Sequence, residues 1–189
     1  MVSGTSRFGD LLVAAHARPH LPVDPASPRI IVIDAVGERL GLMENGRVCG
    51  VYPVSTALAG IGGDEGSFRT PPGWHRIHRK IGAGALYGTV YVSREPTGRV
   101  WAGEPSEDDL ILTRILTLEG LEESINRGPG CDSLARYIYI HGTNHELDLG
   151  RPASHGCVRM GNADIVELFD RVAEGDPVVI VESPSHVRA

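Results

Sequence analysis

The sequence predicts a mainly β fold, a β-sandwich or barrel-like sheet, and three observations carry that expectation. Short apolar and β-branched runs recur at close spacing between glycine turns. The 189 residues include 24 glycines and 13 prolines with no glycine period, which points to turns rather than to collagen or disorder. Strand and helix patterns do not alternate, so nothing supports a doubly wound fold. The length suits one domain, and 41% apolar with 22% charged residues is ordinary for a chain that buries a real core.

Residues 1–28, with Pro19, Pro22, Pro25 and Pro28, show no sustained period and read as an irregular N-terminal arm; residues 29–189 read as the folded domain. Ile30-Ile31-Val32-Ile33 is a β-branched strand. Arg39–Met43 alternates weakly, Asn45-Gly46 is a strong hairpin signal, and Val48–Ser55 returns. Gly60–Gly73 is a glycine-rich loop ending in Pro71-Pro72-Gly73. Strands follow at Trp74–Lys80, Thr89–Val92, Leu110–Leu118, Tyr137–His141 and Val178–Val181. A helix is expected over Asn162–Ala173, with Asn162 as N-cap, Ile165, Leu168, Phe169 and Val172 on one face, and Gly175 as the stop. Gly98–Gly130 contains acidic and glycine-rich stretches that could fold over a cleft, although the sequence does not say which loop forms a lid.

Eighteen basic residues against 24 acidic ones give a formal charge of −6. That argues against nucleic acid as a partner, which needs a basic patch. Lys80 is the single lysine, and His75–Lys80 reads as a solvated strand face. No apolar run approaches the roughly 18–20 residues of a membrane-spanning helix. Residues 10–16 hold five consecutive apolar positions, short of the roughly 7–15 of a secretory leader. The expected location is therefore the cytoplasm, or the periplasm if a leader has been removed. Cys49, Cys131 and Cys157 are odd in number and widely spaced, which is no disulfide framework.

The chemistry is expected in Tyr139-Ile140-His141-Gly142-Thr143-Asn144 and Ser154-His155-Gly156-Cys157-Val158-Arg159-Met160. A thiol with an ordinary pKa near 8.5 is only a few per cent thiolate at neutral pH, so a catalytic cysteine needs a base. His155, two residues before Cys157, shares its face in extended chain but reaches the sulfur poorly. His141, at a strand end, is the favoured base. Gly156 permits a sharp turn, after which the N–H groups of His155, Gly156 and Cys157 could converge as an oxyanion hole. Other readings stand beside this one. The stretch could be a packed core turn, or an inactive binding module. His141, His145, His155 and Cys157 could hold zinc, although neither Cys-x-x-Cys nor His-Glu-x-x-His is present.

These residues resemble the signature of the L,D-transpeptidase family (the YkuD-like catalytic domain): a His-Gly-x strand end, a spacer, then Ser/Thr-His-Gly-Cys-x-Arg/Asn. Here it reads His141-Gly142-Thr143, then Ser154-His155-Gly156-Cys157-Val158-Arg159, with twelve residues between His141 and Ser154. Tyr52–Thr56 and Thr70-Pro71-Pro72-Gly73 are similar to its upstream segments, and the likeness runs from about Arg29 to Glu182. The resemblance implies a β-sandwich of mixed sheets with one or two short helices. It implies Cys157 as nucleophile and His141 as general base and acid, oriented by the carbonyl of Gly142. Ser154, Arg159 and Thr143 would meet the substrate, with structural support an equal alternative for Arg159. The substrate would be a peptidoglycan tetrapeptide stem, attacked at the carbonyl of its third residue with loss of D-alanine. Carbapenem-type β-lactams would acylate the same thiol, and no metal or cofactor is implied. Relatives without a leader resemble cytoplasmic L,D-carboxypeptidases of wall recycling, so water is the expected acceptor. An exported transpeptidase forming 3-3 cross-links is the alternative.

Overall fold

The computed structural model describes residues 4–17 and 22–182. In chain order these form α1 (Gly4–His16), β1 (Arg29–Asp34), β2 (Arg39–Glu44), β3 (Arg47–Ser55), β4 (Gly73–Ile81), β5 (Thr89–Val92) and β6 (Glu95–Val100). They continue with β7 (Ile111–Gly120), β8 (Tyr139–Gly142), a 3₁₀ turn (Glu146–Asp148), β9 (Val158–Met160), α2 (Asn162–Arg171) and β10 (Pro177–Val181).

The strands form one sheet in the order β4-β10-β1-β2-β3-β9-β8-β7-β5-β6. A further pairing joins the end strand β4 to β7, so eight strands of the expected sandwich are hydrogen-bonded into a closed wall, and β5 and β6 extend from β7. The sheet is mixed. The β1–β10 and β8–β9 pairs are parallel and the remainder antiparallel. The β2–β3 hairpin turns on Asn45 (φ 49°) and Gly46 (φ 75°), both left-handed, as a type I′ turn requires.

The main core lies inside the wall. Leu40, Leu42, Val54, Leu116, Ile140, Val158 and Met160 meet Ile165, Leu168 and Phe169 of α2 there. The inner stripe of α2 follows the expected spacing. Its N-cap, however, is Gly161 and not Asn162, and its last helical residue is Arg171. Asn162 is instead buried as a cross-link. Its amide donates to Thr143 O (2.7 Å) and Glu146 Oε1 (2.9 Å), and its Oδ1 accepts from Thr113 Oγ1 (2.6 Å). The Glu146 carboxylate takes over the capping role, accepting the Asn162 N–H at 2.7 Å.

The N-terminal segment departs from the irregular arm that its prolines suggested. Phe8, Leu11, Leu12 and Ala15 repeat at i, i+3, i+4 and i+7, and α1 buries them against Ile30, Val32, Met43, Trp74 and Val179 outside the wall. Pro19 lies outside the described residues, and Pro22, Pro25 and Pro28 follow the helix. Within Gly98–Gly130 the strand expected at Leu110–Leu118 is β7, and it is largely buried. β6 carries Pro96 and Gly98 and is exposed throughout, an edge strand with no alternation to betray it.

Candidate active site

Side chains on neighbouring parallel strands share a face when their residues are in register. Ile140 pairs with Val158 and His141 with Arg159. Ile140, Val158 and Met160 therefore enter the core. His141, Arg159, Tyr139 and Cys157, the residue just before β9, take the opposite face. Cys157 packs there on Tyr91, Ile115 and Tyr139. A cavity of about 120 Å³ opens on that face, lined by Asp109, Ile111, His141, His155 and Cys157.

His141 is 2% exposed, and its Nδ1 lies 2.8 Å from the carbonyl oxygen of Gly142. A carbonyl accepts only, so Nδ1 carries the proton and Nε2 keeps a free lone pair. Burial lowers the pKa of the ring below its ordinary 6.5, so the imidazole is neutral at pH 7. Glycine is required at 142, where a Cβ would stand 2.7 Å from the Leu112 carbonyl and 2.4 Å from Asn162 Oδ1.

Cys157 is partly buried. Its thiol donates to Tyr137 O at 3.3 Å. Burial pushes the thiol up to about 11, against the Tyr139 backbone, which favours the thiolate. The turn before it is held from three sides. Ser154 Oγ donates to Cys157 O (2.5 Å) and accepts from Gly156 N (3.2 Å), while Thr70 Oγ1 donates to Gly156 O (2.9 Å). Gly156 has φ 132°, a conformation that disfavours any side chain.

Three sequence expectations change here. Gly156 N–H is engaged by Ser154, so of the three expected oxyanion donors only the N–H groups of His155 and Cys157 are unpaired among the described residues. Ser154 (2% exposed) and Thr143 (0%) are buried and not placed to meet a substrate. Thr143 Oγ1 accepts from His145 N, and its carbonyl from Asn162. Both are structural because each braces a turn that carries a neighbouring functional group. Arg159, with its side chain 4% exposed, is ion-paired to Asp109 and is the support that one of its two readings allowed.

Asp109 was not foreseen. A lone acid in an irregular loop carries no motif. Burial disfavours its anion, but Arg159 and the other positive groups around it hold its carboxyl below the ordinary range. Its carboxylate also lies 3.3 Å from Nδ1 of the exposed His155. The loop before β7 is pinned beside the cavity by Asn144, which accepts from Leu110 N (3.0 Å) and donates to Asp108 O (2.8 Å). Across His155 lies a second depression of about 280 Å³, lined by Glu65, Gly66, Phe68, Arg136 and Ile138.

The zinc reading gains no geometry. His141 spends Nδ1 on Gly142, and His145 Nε2 lies 3.2 Å from Asp108 O. Among the described residues no three His, Cys, Asp or Glu side chains gather as a metal set.

A closed mixed sheet that carries a His-Gly strand end in register with a Ser-His-Gly-Cys turn defines the class of domain. The chain belongs to the L,D-transpeptidase catalytic domain family (YkuD), whose model matches residues 28–180. It is 29% identical over 161 residues to the putative L,D-transpeptidase YqjB of Bacillus subtilis strain 168, covering 84% of this chain and 73% of that protein. It is 43% identical over 51 residues to the probable L,D-transpeptidase YbiS of Escherichia coli strain K12, a match spanning 27% of this chain and only 17% of that protein. An L,D-transpeptidase 3 from Mycobacterium tuberculosis in complex with a faropenem-derived adduct superposes with TM-score 0.53 at 17% identity, over 82% of this chain and 60% of that one. The L,D-transpeptidase LdtMt1 in complex with imipenem gives 0.51 at 21%, over 82% and 59%. These superpositions show a shared fold.

Proposed function

We propose that this protein is a cysteine acyl-transfer enzyme that releases D-alanine from peptidoglycan tetrapeptide stems, acting as an L,D-carboxypeptidase. The observation that carries the reading is the placement of Cys157 and His141 on one sheet face and in one cavity, with His141 Nδ1 tied to Gly142 O.

The thiol and the imidazole are both neutral at rest, so proton transfer belongs to the attack itself. Binding turns Sγ from Tyr137 O toward Nε2 of His141. Sγ attacks the carbonyl of the third stem residue while Nε2 takes its proton. The oxyanion falls to the N–H groups of His155 and Cys157. As the intermediate collapses, the C–N bond breaks and the imidazolium returns its proton to the leaving amine of D-alanine. Water then attacks the thioester with His141 as base, releasing tripeptide and restoring the thiol. The proposed setting is wall recycling in the cytoplasm.

Transpeptidation is the second reading, with an exported enzyme forming 3-3 cross-links, and the names of the relatives favour it. A soluble tetrapeptide assay with and without an added D-amino acid separates the two. D-alanine release with accumulating tripeptide supports hydrolysis; exchanged or cross-linked product as the main species overturns it. The solved relatives with imipenem and a faropenem-derived adduct also support acylation of Cys157 by such β-lactams, read as a mass increment absent from Cys157→Ala.

A further inference from the structure

Two guanidinium groups lie near the candidate nucleophile, and they differ in what neutralises them. Arg159 is buried against the Asp109 carboxylate. Among the described residues Arg136 has no such partner. Its Nη1 donates to Gly63 O (2.7 Å) and its Nη2 to Arg69 O (2.8 Å), both uncharged carbonyls. Asp64 and Glu65 act on it through space without forming an ion pair among the described residues. It is part-buried, and burial already works against its charge. A guanidinium has five N–H donors, and the two carbonyls account for one on each terminal nitrogen.

The location matters as much as the charge. Arg136 lines the 280 Å³ depression that meets the Cys157 cavity across His155. The Arg69 carbonyl that holds it stands 3.5 Å from the point where a Cβ on Gly156 would sit, so the guanidinium borders the nucleophile turn. In a stem peptide the terminal carboxylate carbon lies within about 4 Å of the scissile carbonyl carbon, three bonds away. A substrate seated on Cys157 therefore carries an anion into this neighbourhood.

We infer that Arg136 is a specificity-determining residue that receives a carboxylate of the stem peptide, a role that Arg159 cannot fill while paired with Asp109. The two carbonyls fix the planar fork, and a bidentate carboxylate completes it. The inference rests on the proposed acyl transfer and deepens it. The carboxylate comes either from the terminal D-alanine or from the side chain of the third residue.

The test compares kcat/KM for three tetrapeptides: one with free carboxylates, one with a C-terminal carboxamide, and one amidated on the diamino-acid side chain. The full chain is assayed as wild type, Arg136→Gln and Arg136→Lys. The wild type is expected to prefer the free acid over one of the amides by about 10- to 100-fold, the worth of a charge-assisted pair. Arg136→Gln brings that ratio to near unity, and Arg136→Lys keeps part of it. The amide whose penalty vanishes identifies the carboxylate. A merely structural Arg136 lowers all three rates together and leaves the ratio intact, which overturns the inference. So does a wild type indifferent to both amides. Absence of D-alanine release from the wild type, or its persistence in Cys157→Ala, overturns the proposed function itself, so the two failures are told apart.

Discussion

The sulfur of Cys157 donates its proton to the carbonyl of Tyr137, 3.3 Å away, and not to His141. Together with a thiol pushed up to about 11 and an imidazole kept neutral, this describes a proposed nucleophile that rests as a neutral thiol. Alkylation of Cys157 by a small reagent such as iodoacetamide should then rise steadily with pH through the range 8–10, since only the thiolate reacts. His141→Ala should change that profile little. A plateau of fast labelling near pH 7, abolished by His141→Ala, would show a preformed ion pair and refute the account.

Turnover should respond differently from labelling. Cys157→Ala is expected to reduce D-alanine release to background, and His141→Ala to lower it about 10²- to 10⁴-fold. His155→Ala should cost no more than about fivefold, because its ring is 72% exposed and its link to Asp109 is a surface pair. The base must be unprotonated, and burial lowers the His141 pKa from 6.5. Activity should therefore be level above about pH 6.5 and fall on the acid side of it. The pH profile of kcat/KM checks this.

Much of this site was legible because its chemistry sits in adjacent short motifs. His141, Gly142, Gly156 and Cys157 are marked by residue type and order, and the β8–β9 register brings the side chains of His141 and Cys157 to one face. The roles of Ser154 and Thr143 were not legible, because a hydroxyl that braces a turn and one that meets a substrate look alike in sequence. Asp109 and Arg136 come from loops whose position is set by remote anchors, Asn144 and the carbonyls of Gly63 and Arg69. In the fold, most strands declared themselves by β-branched runs and hairpin signals, while exposed β6 did not. α1 did not, because its four buried residues lie in a short run whose value is set by the outer sheet face that it covers.

Asp109→Asn tests the buried pair. It leaves the Arg159 guanidinium, 4% exposed, without its counter-ion, and Arg159 Nε already lacks a partner among the described residues. Loss of one member of a buried pair costs about 3–5 kcal/mol. Asp109 is 32% exposed, so a value at the lower end, about 3 kcal/mol, is expected in denaturant unfolding. Asp109→Asn with Arg159→Met should recover most of it. The Asp109 charge raises the His141 pKa while Arg159 lowers it, so the acid limb of activity should move to lower pH in Asp109→Asn.

His75 predicts how the whole domain responds to acid. It is fully buried at the start of β4, its Nδ1 3.0 Å from Gly73 O and its Nε2 3.0 Å from Ser133 Oγ. Burial lowers it to about 4 from 6.5. The unfolded chain therefore binds this proton first as pH falls, while the folded chain refuses it until about 4. The stability that His75 contributes is complete above pH 6.5 and disappears between there and about 4, on the order of 3 kcal/mol in all. His141 adds to the same trend, since its pKa is also lowered by burial. Urea midpoints measured at pH 7.5, 6 and 5 should fall progressively. His75→Gln should start from a lower midpoint and fall less steeply. A wild-type midpoint unchanged between pH 7.5 and 5 would mean that the folded protein protonates these rings freely, which is incompatible with their burial.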